Sequence, residues 1–474
     1  MKTVELIKNR IKNARCAVLG FGVSNVPLVE LLLECGNEIT VHDKKDIDKL
    51  GEKAKLFSEK GVRFITGDNY LDEIDADIIF RSPGIRPDYN GIRKAIENGA
   101  ELTSEMELFL ELTPAYVLGV TGSDGKTTTT TIAYKLLEKE FENTDRKIYV
   151  GGNIGNPLLS KVGEMTERDI CVLELSSFQL FTMKRSPDRA VITNLSPNHL
   201  DWHRNMAEYV EAKTNIYKHG CIQLTLNGNN ELSKELFVSD NIELSLFSAN
   251  YSYDDIVDKY KDKPDEKSKS AMFVYDGHIY RYYNNHVLKI LNLNSILIPG
   301  IHNVENYMAA IALTWKMVSE PTIYYVARTF GGVEHRLELV RVHNDVLYIN
   351  SSIDSSPSRT VAALSALPVK PIVICGGYDK QIPFEPLADA LNERAKAVIL
   401  TGATAEKINE VLRQSDSPIE IYIEKDFKGA IEKARSIAKK DDIVLLSPAC
   451  ASFDAFDNFM QRGNKFKEIV NDFK

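Results

Sequence analysis

Residues 120–136 read "VTGSDGKTTTTTIAYKL", a glycine-flanked lysine and a run of threonines set between an apolar strand and a helix. Gly122, Ser123, Asp124, Gly125, Lys126, Thr127 and Thr128 fall where the strand turns into the helix. Such a turn aims backbone N–H groups and a helix N-terminus at an incoming phosphate. Lys126 adds a compact positive charge for the terminal phosphates, and a hydroxyl from Thr127 or Thr128 suits Mg2+. The strict GxxxxGK[ST] pattern fails by one place, because position 120 is Val and the nearby glycine is Gly119. A plain glycine-rich turn ahead of a threonine-faced helix is the competing reading.

Outward from this stretch, short apolar runs alternate with glycine turns and helical segments in three blocks, the rhythm of parallel α/β units. The first holds "CAVLGFG", a helix through "NVPLVELLLECG", "EITVHD" and "ADIIFRSPGI", and ends near Thr113-Pro114. The second runs from "AYVLGVTG" through "DICVLELSS" and "RAVITNLS" to a polar tail, where "SAMFVYDGHIYRYY" predicts an antiparallel hairpin about Asp276-Gly277. The charged stretch 251–270 just before it is expected to be a solvated loop. From about Pro321 the third block repeats the rhythm with "VLYIN", "PIVICGG", "AVILTG", "IEIYI" and "DIVLLSP".

Composition narrows the function. The 474 residues suffice for about three domains of ~150 residues. With 43% hydrophobic and 26% charged residues, the chain has the balance of an ordinary globular protein. A formal charge of −9 argues against a general nucleic-acid binder but leaves room for a local basic pocket. Six scattered cysteines without CxxC spacing suit a reducing compartment and no disulfides. The first residues lack a signal-peptide core and no run is long enough to span a bilayer, so a cytoplasmic protein without membrane attachment is expected.

Further chemistry follows the phosphate loop. Glu174 ends the apolar run "CVLEL", where a carboxylate buried alone is costly and a strand-end Mg2+ is the obvious partner; a salt-bridged edge glutamate is the other reading. His199 lies in the loop beyond "RAVITNLS" and Lys213 on the helix after it.

The ordered series "GSDGKTT", "GNIG", "LELSSFQL", "NHLDWH", "EAKTNIY", "GIHNVEN" and "VEHRLE" resembles the Mur ligases, ATP-dependent enzymes that extend the peptide of the bacterial cell-wall precursor. With "GGYDKQIPF" and "LLSPACASFDAFDNFMQRGNKF" it is similar to the branch of that family that adds D-glutamate to UDP-N-acetylmuramoyl-L-alanine. The resemblance covers nearly the whole chain, most weakly over residues 229–295. It implies an α/β chain of three domains: a Rossmann-like UDP-sugar domain (1–114), a P-loop ATPase-like ATP domain (115–320) and a Rossmann-like D-glutamate domain (321–474). It further implies two Mg2+ sites, ATP as co-substrate, an acyl-phosphate intermediate and a monomer. By resemblance Thr127 and Glu174 hold one Mg2+, and His199 and a carbamylated Lys213 the other, with Asn153 near both. Asn303 and Asn306 match adenine contacts and Arg336 a phosphate contact. Lys380, Ser452, Phe459 and Ser355 match the D-glutamate site, although Phe459 also reads as core.

The first block raises a rival. "GFGVSN", Gly20 to Asn25, lacks the third glycine of a dinucleotide fingerprint, yet Asp43 ends the second strand at a distance suited to a ribose. An NAD-dependent dehydrogenase is conceivable from this block alone, but leaves the rest unexplained. The resemblance instead assigns Gly22, Val23, Ser24 and Asp43, with Ser82, Gly84 and Ile85 at the neighbouring strand end, to the UDP-sugar. One departure is plain: where the family reads Asn-Asp-Ser, this chain reads Asn350-Ser351-Ser352, with an acid only at Asp354. Either a nucleotide contact is weakened or Asp354 substitutes from a shifted turn. A non-catalytic relative that senses the nucleotide precursor is the second rival, and retention of Lys126, Glu174, His199 and Lys213 argues against it.

Overall fold

Tyr116–Thr121 is buried along nearly its whole length because strands pair with it on both sides and helices cover both faces, as its unbroken apolar run requires. In the computed structural model, which describes residues 2–260, 270–283, 286–414 and 419–474, it belongs to a nine-stranded sheet. The order across that sheet is His286–Asn292, His278–Tyr283, Ser270–Tyr275, Glu243–Ser248, Gln223–Asn227, Arg189–Ile192, Tyr116–Thr121, Ile170–Glu174, Ile148–Gly152. All pairings are parallel except the two made by His278–Tyr283. The helices Lys126–Glu140 and Ile301–Leu313 pack on one another against it, burying Ile132, Ala133, Leu136 and the apolar face from Tyr307 to Leu313.

The chain divides into two compact units, Met1–Thr329 and Phe330–Lys474. The first unit also carries a five-stranded parallel sheet in the order Arg63–Thr66, Glu38–Asp43, Arg15–Leu19, Ile78–Arg81, Glu101–Thr103. The second is built on a six-stranded sheet, Glu338–His343, Val346–Asn350, Ile443–Leu446, Ile372–Cys375, Ala397–Leu400, Glu420–Ile423, parallel but for its first strand. In each sheet the strand order reverses beside a central strand, and the loops leaving the carboxyl ends there are the natural ligand sites. The helix Glu320–Thr329, at whose start the sequence motifs change, packs within the first unit through Ile323, Val326 and Ala327. All six cysteines are buried free thiols.

The hairpin about Asp276-Gly277 forms, with φ of 43° and 68° at the two turn residues, both in the left-handed region that a two-residue turn matching the strand twist needs. The expected loop over 251–270 is corrected in part. Residues Tyr253–Tyr260 form a helix, opened by a reciprocal pair in which Asp255 N–H donates to Ser252 Oγ and Ser252 N–H to Asp255 Oδ2. Ile256 anchors it against Ala271 and Phe273. Residues 261–269 lie outside the described residues.

Candidate active site

The phosphate loop is held from behind. Gly122 (φ 147°) and Gly125 (φ 76°) occupy backbone regions that side chains rarely adopt, and a Cβ at either would collide with Thr193 Oγ1 or Asn306 Oδ1. Asn194 takes two of the loop's donors, Ser123 N–H through its carbonyl and Asp124 N–H through Oδ1, both at 2.9 Å. The Ser123 hydroxyl also turns inward, donating to Ser196 O at 2.9 Å and lying 2.8 Å from Tyr209 OH. The backbone N–H groups of 123 and 124 are thus used to set the loop, and the helix begins just after it at Lys126. Lys126 Nζ reaches back to Gly122 O and Ser123 O at 3.0 and 2.9 Å.

Around that lysine the remaining expected groups converge. Glu174, 2% exposed at its strand end, accepts Asn153 N–H on its carbonyl at 2.7 Å and the Asn153 amide on Oε1 at 2.8 Å. Its second oxygen, Oε2, is buried with no hydrogen-bond partner among the described residues. A buried carboxylate with one orphaned oxygen is an unfinished ligand set, and Mg2+ fits it. Lys213, 1% exposed, donates to Gly122 O at 2.8 Å and Thr121 Oγ1 at 3.2 Å. Burial first, then the charge of Lys126, pushes its pKa well below the usual lysine value, so the amine is predisposed to be neutral. His199 adopts φ 53° and packs its ring 4.9 Å from that of Phe178. Burial, with Lys126 and Lys213 nearby, lowers its pKa, leaving a neutral imidazole suited to a metal. Among the described residues no three His, Cys, Asp or Glu side chains group to hold a metal unaided. Phosphate oxygens and a modified lysine would have to complete each set.

Asn306 carries the helix Ile301–Leu313 onto the loop: its Oδ1 accepts Thr129 Oγ1 at 3.2 Å, and its amide donates to Asn303 Oδ1 at 3.1 Å. Thr127 and Thr128 stand half-buried in the first helical turn. On the five-stranded sheet, Asp43 accepts Phe21 N–H on Oδ2 and Lys45 N–H on Oδ1, at 2.7 and 2.8 Å. One N–H on each oxygen holds the carboxylate beside the glycine turn and leaves it acceptor capacity for a ligand hydroxyl. Asn25, where the dinucleotide pattern has its third glycine, ties that turn to the neighbouring loop by donating to Gly20 O at 2.9 Å and Ser82 Oγ at 3.0 Å. Gly22 and Ser24 lie beside a Val23 that is 83% exposed. Gly84 accepts Trp202 Nε1–H at 2.9 Å.

Within the second unit, Lys380 Nζ lies 3.1 Å from Ser355 O and 3.5 Å from Ser355 Oγ, so two expected D-glutamate residues meet. Ser452, 2% exposed, and Phe459 flank the same sheet end. Arg462, which sequence reasoning missed, joins two segments next to these residues: it donates to Ser352 O and Oγ, Ala451 O and Cys450 O at 2.9–3.1 Å. Phe459 also packs edge-on to His335 at 5.9 Å, so it is partly core. Asp354 lines a hollow of about 300 Å3 with Arg336, Ser351 and Arg359. Its Oδ2 accepts Ser447 Oγ–H at 2.8 Å, and Ser351 also bonds its carboxyl. The acid missing at 351 is thus supplied to the same neighbourhood by the turn that places Asp354.

The sequence matches the Mur ligase middle domain over residues 120–314, the glutamate ligase domain of Mur ligases over 335–450 and the MurD N-terminal domain over 15–90. It is 45% identical to a UDP-N-acetylmuramoylalanine–D-glutamate ligase of Ruminiclostridium cellulolyticum over 99% of both chains. It is 46% identical to that of Clostridium acetobutylicum over 98% of both. Among solved structures, the UDP-N-acetylmuramate-alanine ligase MurC of Thermotoga maritima shares the fold at a TM-score of 0.50 and 17% identity, covering 97% of this chain and 100% of that one. With its phosphate loop, orphaned strand-end carboxylate and buried lysine in place, the chain belongs to the Mur ligase family, on the branch of the UDP-N-acetylmuramoylalanine–D-glutamate ligases.

Proposed function

We propose that this chain joins D-glutamate to UDP-N-acetylmuramoyl-L-alanine at the expense of ATP, a step in building the peptidoglycan precursor. The observation that carries the reading is the convergence of Lys126, Asn153, Glu174, His199 and Lys213 about one phosphate loop. Residues 1–114 bind the UDP-sugar through the turn 22–24 and the loop 82–85, 115–320 bind ATP, and 321–474 bind D-glutamate. The protein works as a monomer in the cytoplasm; no helix among the described residues is long and apolar enough to cross a membrane.

The chemistry must bring several anions together, so cations dominate the site. The precursor's terminal carboxylate attacks the γ-phosphorus of ATP, forming an acyl phosphate and releasing ADP. Lys126 stabilises the charge on the transferring phosphoryl group. The D-glutamate amine then attacks the acyl carbon, loses a proton, and the tetrahedral intermediate expels phosphate. Lys380 pairs the side-chain carboxylate of D-glutamate, and Ser355 and Ser452 add donors beside it. The neutral Lys213 amine adds to CO2 and loses a proton, giving a carbamate whose oxygens can serve as ligands. Glu174 with Thr127, and His199 with that carbamate, would hold two Mg2+ ions, which when bound neutralise phosphate charge. Asn153 fixes the Glu174 carboxylate.

The test is ADP release with the purified protein. Continuous ADP release should need ATP, the UDP-N-acetylmuramoyl-L-alanine precursor and D-glutamate together, with at most about one ADP per protein molecule formed when D-glutamate is withheld. ADP release indifferent to the precursor would overturn the reading, and binding of ATP and precursor without turnover would point to the sensor.

A further inference from the structure

Arg81 ends the strand Ile78–Arg81 and is 1% exposed, with no carboxylate hydrogen-bonded to it among the described residues. Burial lowers its pKa to about 10, opposed by the charge of Glu107, so the guanidinium remains charged at neutral pH and its hydrogen bonds go to dipoles. Those dipoles come from two directions. One terminal nitrogen, Nη1, donates to Ser82 O, Pro83 O and Ile85 O at 3.3, 2.9 and 2.7 Å. The other, Nη2, donates to Phe178 O at 2.8 Å and Thr182 Oγ1 at 3.0 Å. Phe178 is the ring against which His199 rests, and it also stacks on the buried imidazole of His203 at 5.7 Å. A second tie runs parallel, since Trp202 donates to Gly84 O and packs edge-on to Phe178 at 4.9 Å. An apolar side chain would fill the strand end without the cost of burying a charge, so the fork's use lies in what it joins.

We propose that Arg81 is a positioning residue that couples the loop 82–85 to His199, so that occupation of that loop by the UDP-sugar and placement of the imidazole beside the nucleotide are one event. The inference rests on the assignment of the loop and of His199 made above. Its consequence is a reciprocal coupling: the precursor binds more tightly when Mg2+ and nucleotide are bound, and the nucleotide more tightly with precursor.

The experiment is calorimetric titration of UDP-N-acetylmuramoyl-L-alanine into the protein alone and into protein saturated with Mg2+ and a non-hydrolysable ATP analogue. It is run on the wild type, Arg81→Met and Arg81→Lys. Expected in the wild type is a coupling of about 5- to 50-fold. It should fall to near unity in Arg81→Met and be partly kept in Arg81→Lys, with affinity for the analogue alone changed less than about twofold. If Arg81→Met does not fold, Thr182→Val and Trp202→Phe each delete one tie and should each lower the coupling. Undiminished coupling in the soluble variants, or binding of both ligands to the wild type without coupling, overturns the inference and leaves the function intact. A wild type that binds neither ligand overturns both.

Discussion

Replacing Lys126 by alanine removes the ammonium that spans Gly122 O and Ser123 O. Ligation should fall by about 10³-fold or more, the scale of losing a cation aimed at a charged transition state. The affinity for the UDP-precursor, measured by calorimetry, should stay within about twofold, since the uridine half is proposed to bind at the five-stranded sheet and not at the phosphate loop. Lys213→Ala should also abolish turnover, and added short carboxylic acids should restore part of it by supplying oxygens in place of the proposed carbamate. Absence of rescue at saturating acid, in a variant that remains folded, would contradict the carbamate. Lys126 and Glu174 stand out in the sequence as ions in phosphate-loop or apolar surroundings, whereas Lys213, on a polar helix, was singled out only by the family resemblance. The residues that hold them were not legible there. Asn194, Arg81 and Arg462 act through backbone carbonyls and N–H groups, and Tyr209 through the Ser123 hydroxyl, all brought together only by folding. For Asn25 the signal existed: an asparagine where the dinucleotide pattern has glycine.

The helix Glu105–Leu112 shows how an element can store a pH dependence. Ser104 caps it and acids occupy its first turn, the favourable end of the helix dipole, yet Glu105 is 5% exposed. Burial pushes its carboxyl up to about 7, offset in part by the Leu159 N–H. The folded state therefore prefers the protonated acid. Its contribution to stability is fully present below the unfolded glutamate value near 4.5 and is lost as pH rises through about 7. Glu105→Gln should remove that dependence and raise stability at pH 8 by about 1–3 kcal/mol, read from denaturant midpoints. A variant no more stable than wild type at pH 8 would contradict it. Element types were largely readable from the apolar runs and from Asp276-Gly277. The helix Tyr253–Tyr260 was hidden because its composition is that of a solvated loop, and its evidence was local: the Ser252-x-x-Asp255 box and the burial of Ile256.

Across the whole molecule, the three sheets place their glycine turns and site residues at carboxyl strand ends: Gly20 and Ser82 on the first, Gly122, Glu174 and His199 on the second, Gly376 and Ser452 on the third. Repeated α/β rhythm made this architecture visible in the sequence, while the strand order, which decides which loops become neighbours, is a property of pairing between distant segments. The central claim is that the precursor's own carboxylate takes the phosphoryl group before the amine arrives. It is tested most directly by supplying UDP-N-acetylmuramoyl-L-alanine with its terminal carboxylate labelled with oxygen-18, and analysing the inorganic phosphate by mass spectrometry after ligation to D-glutamate. The account predicts that each phosphate released carries one labelled oxygen and that the new amide retains the other. Unlabelled phosphate accompanying a normal yield of ligated product would contradict it.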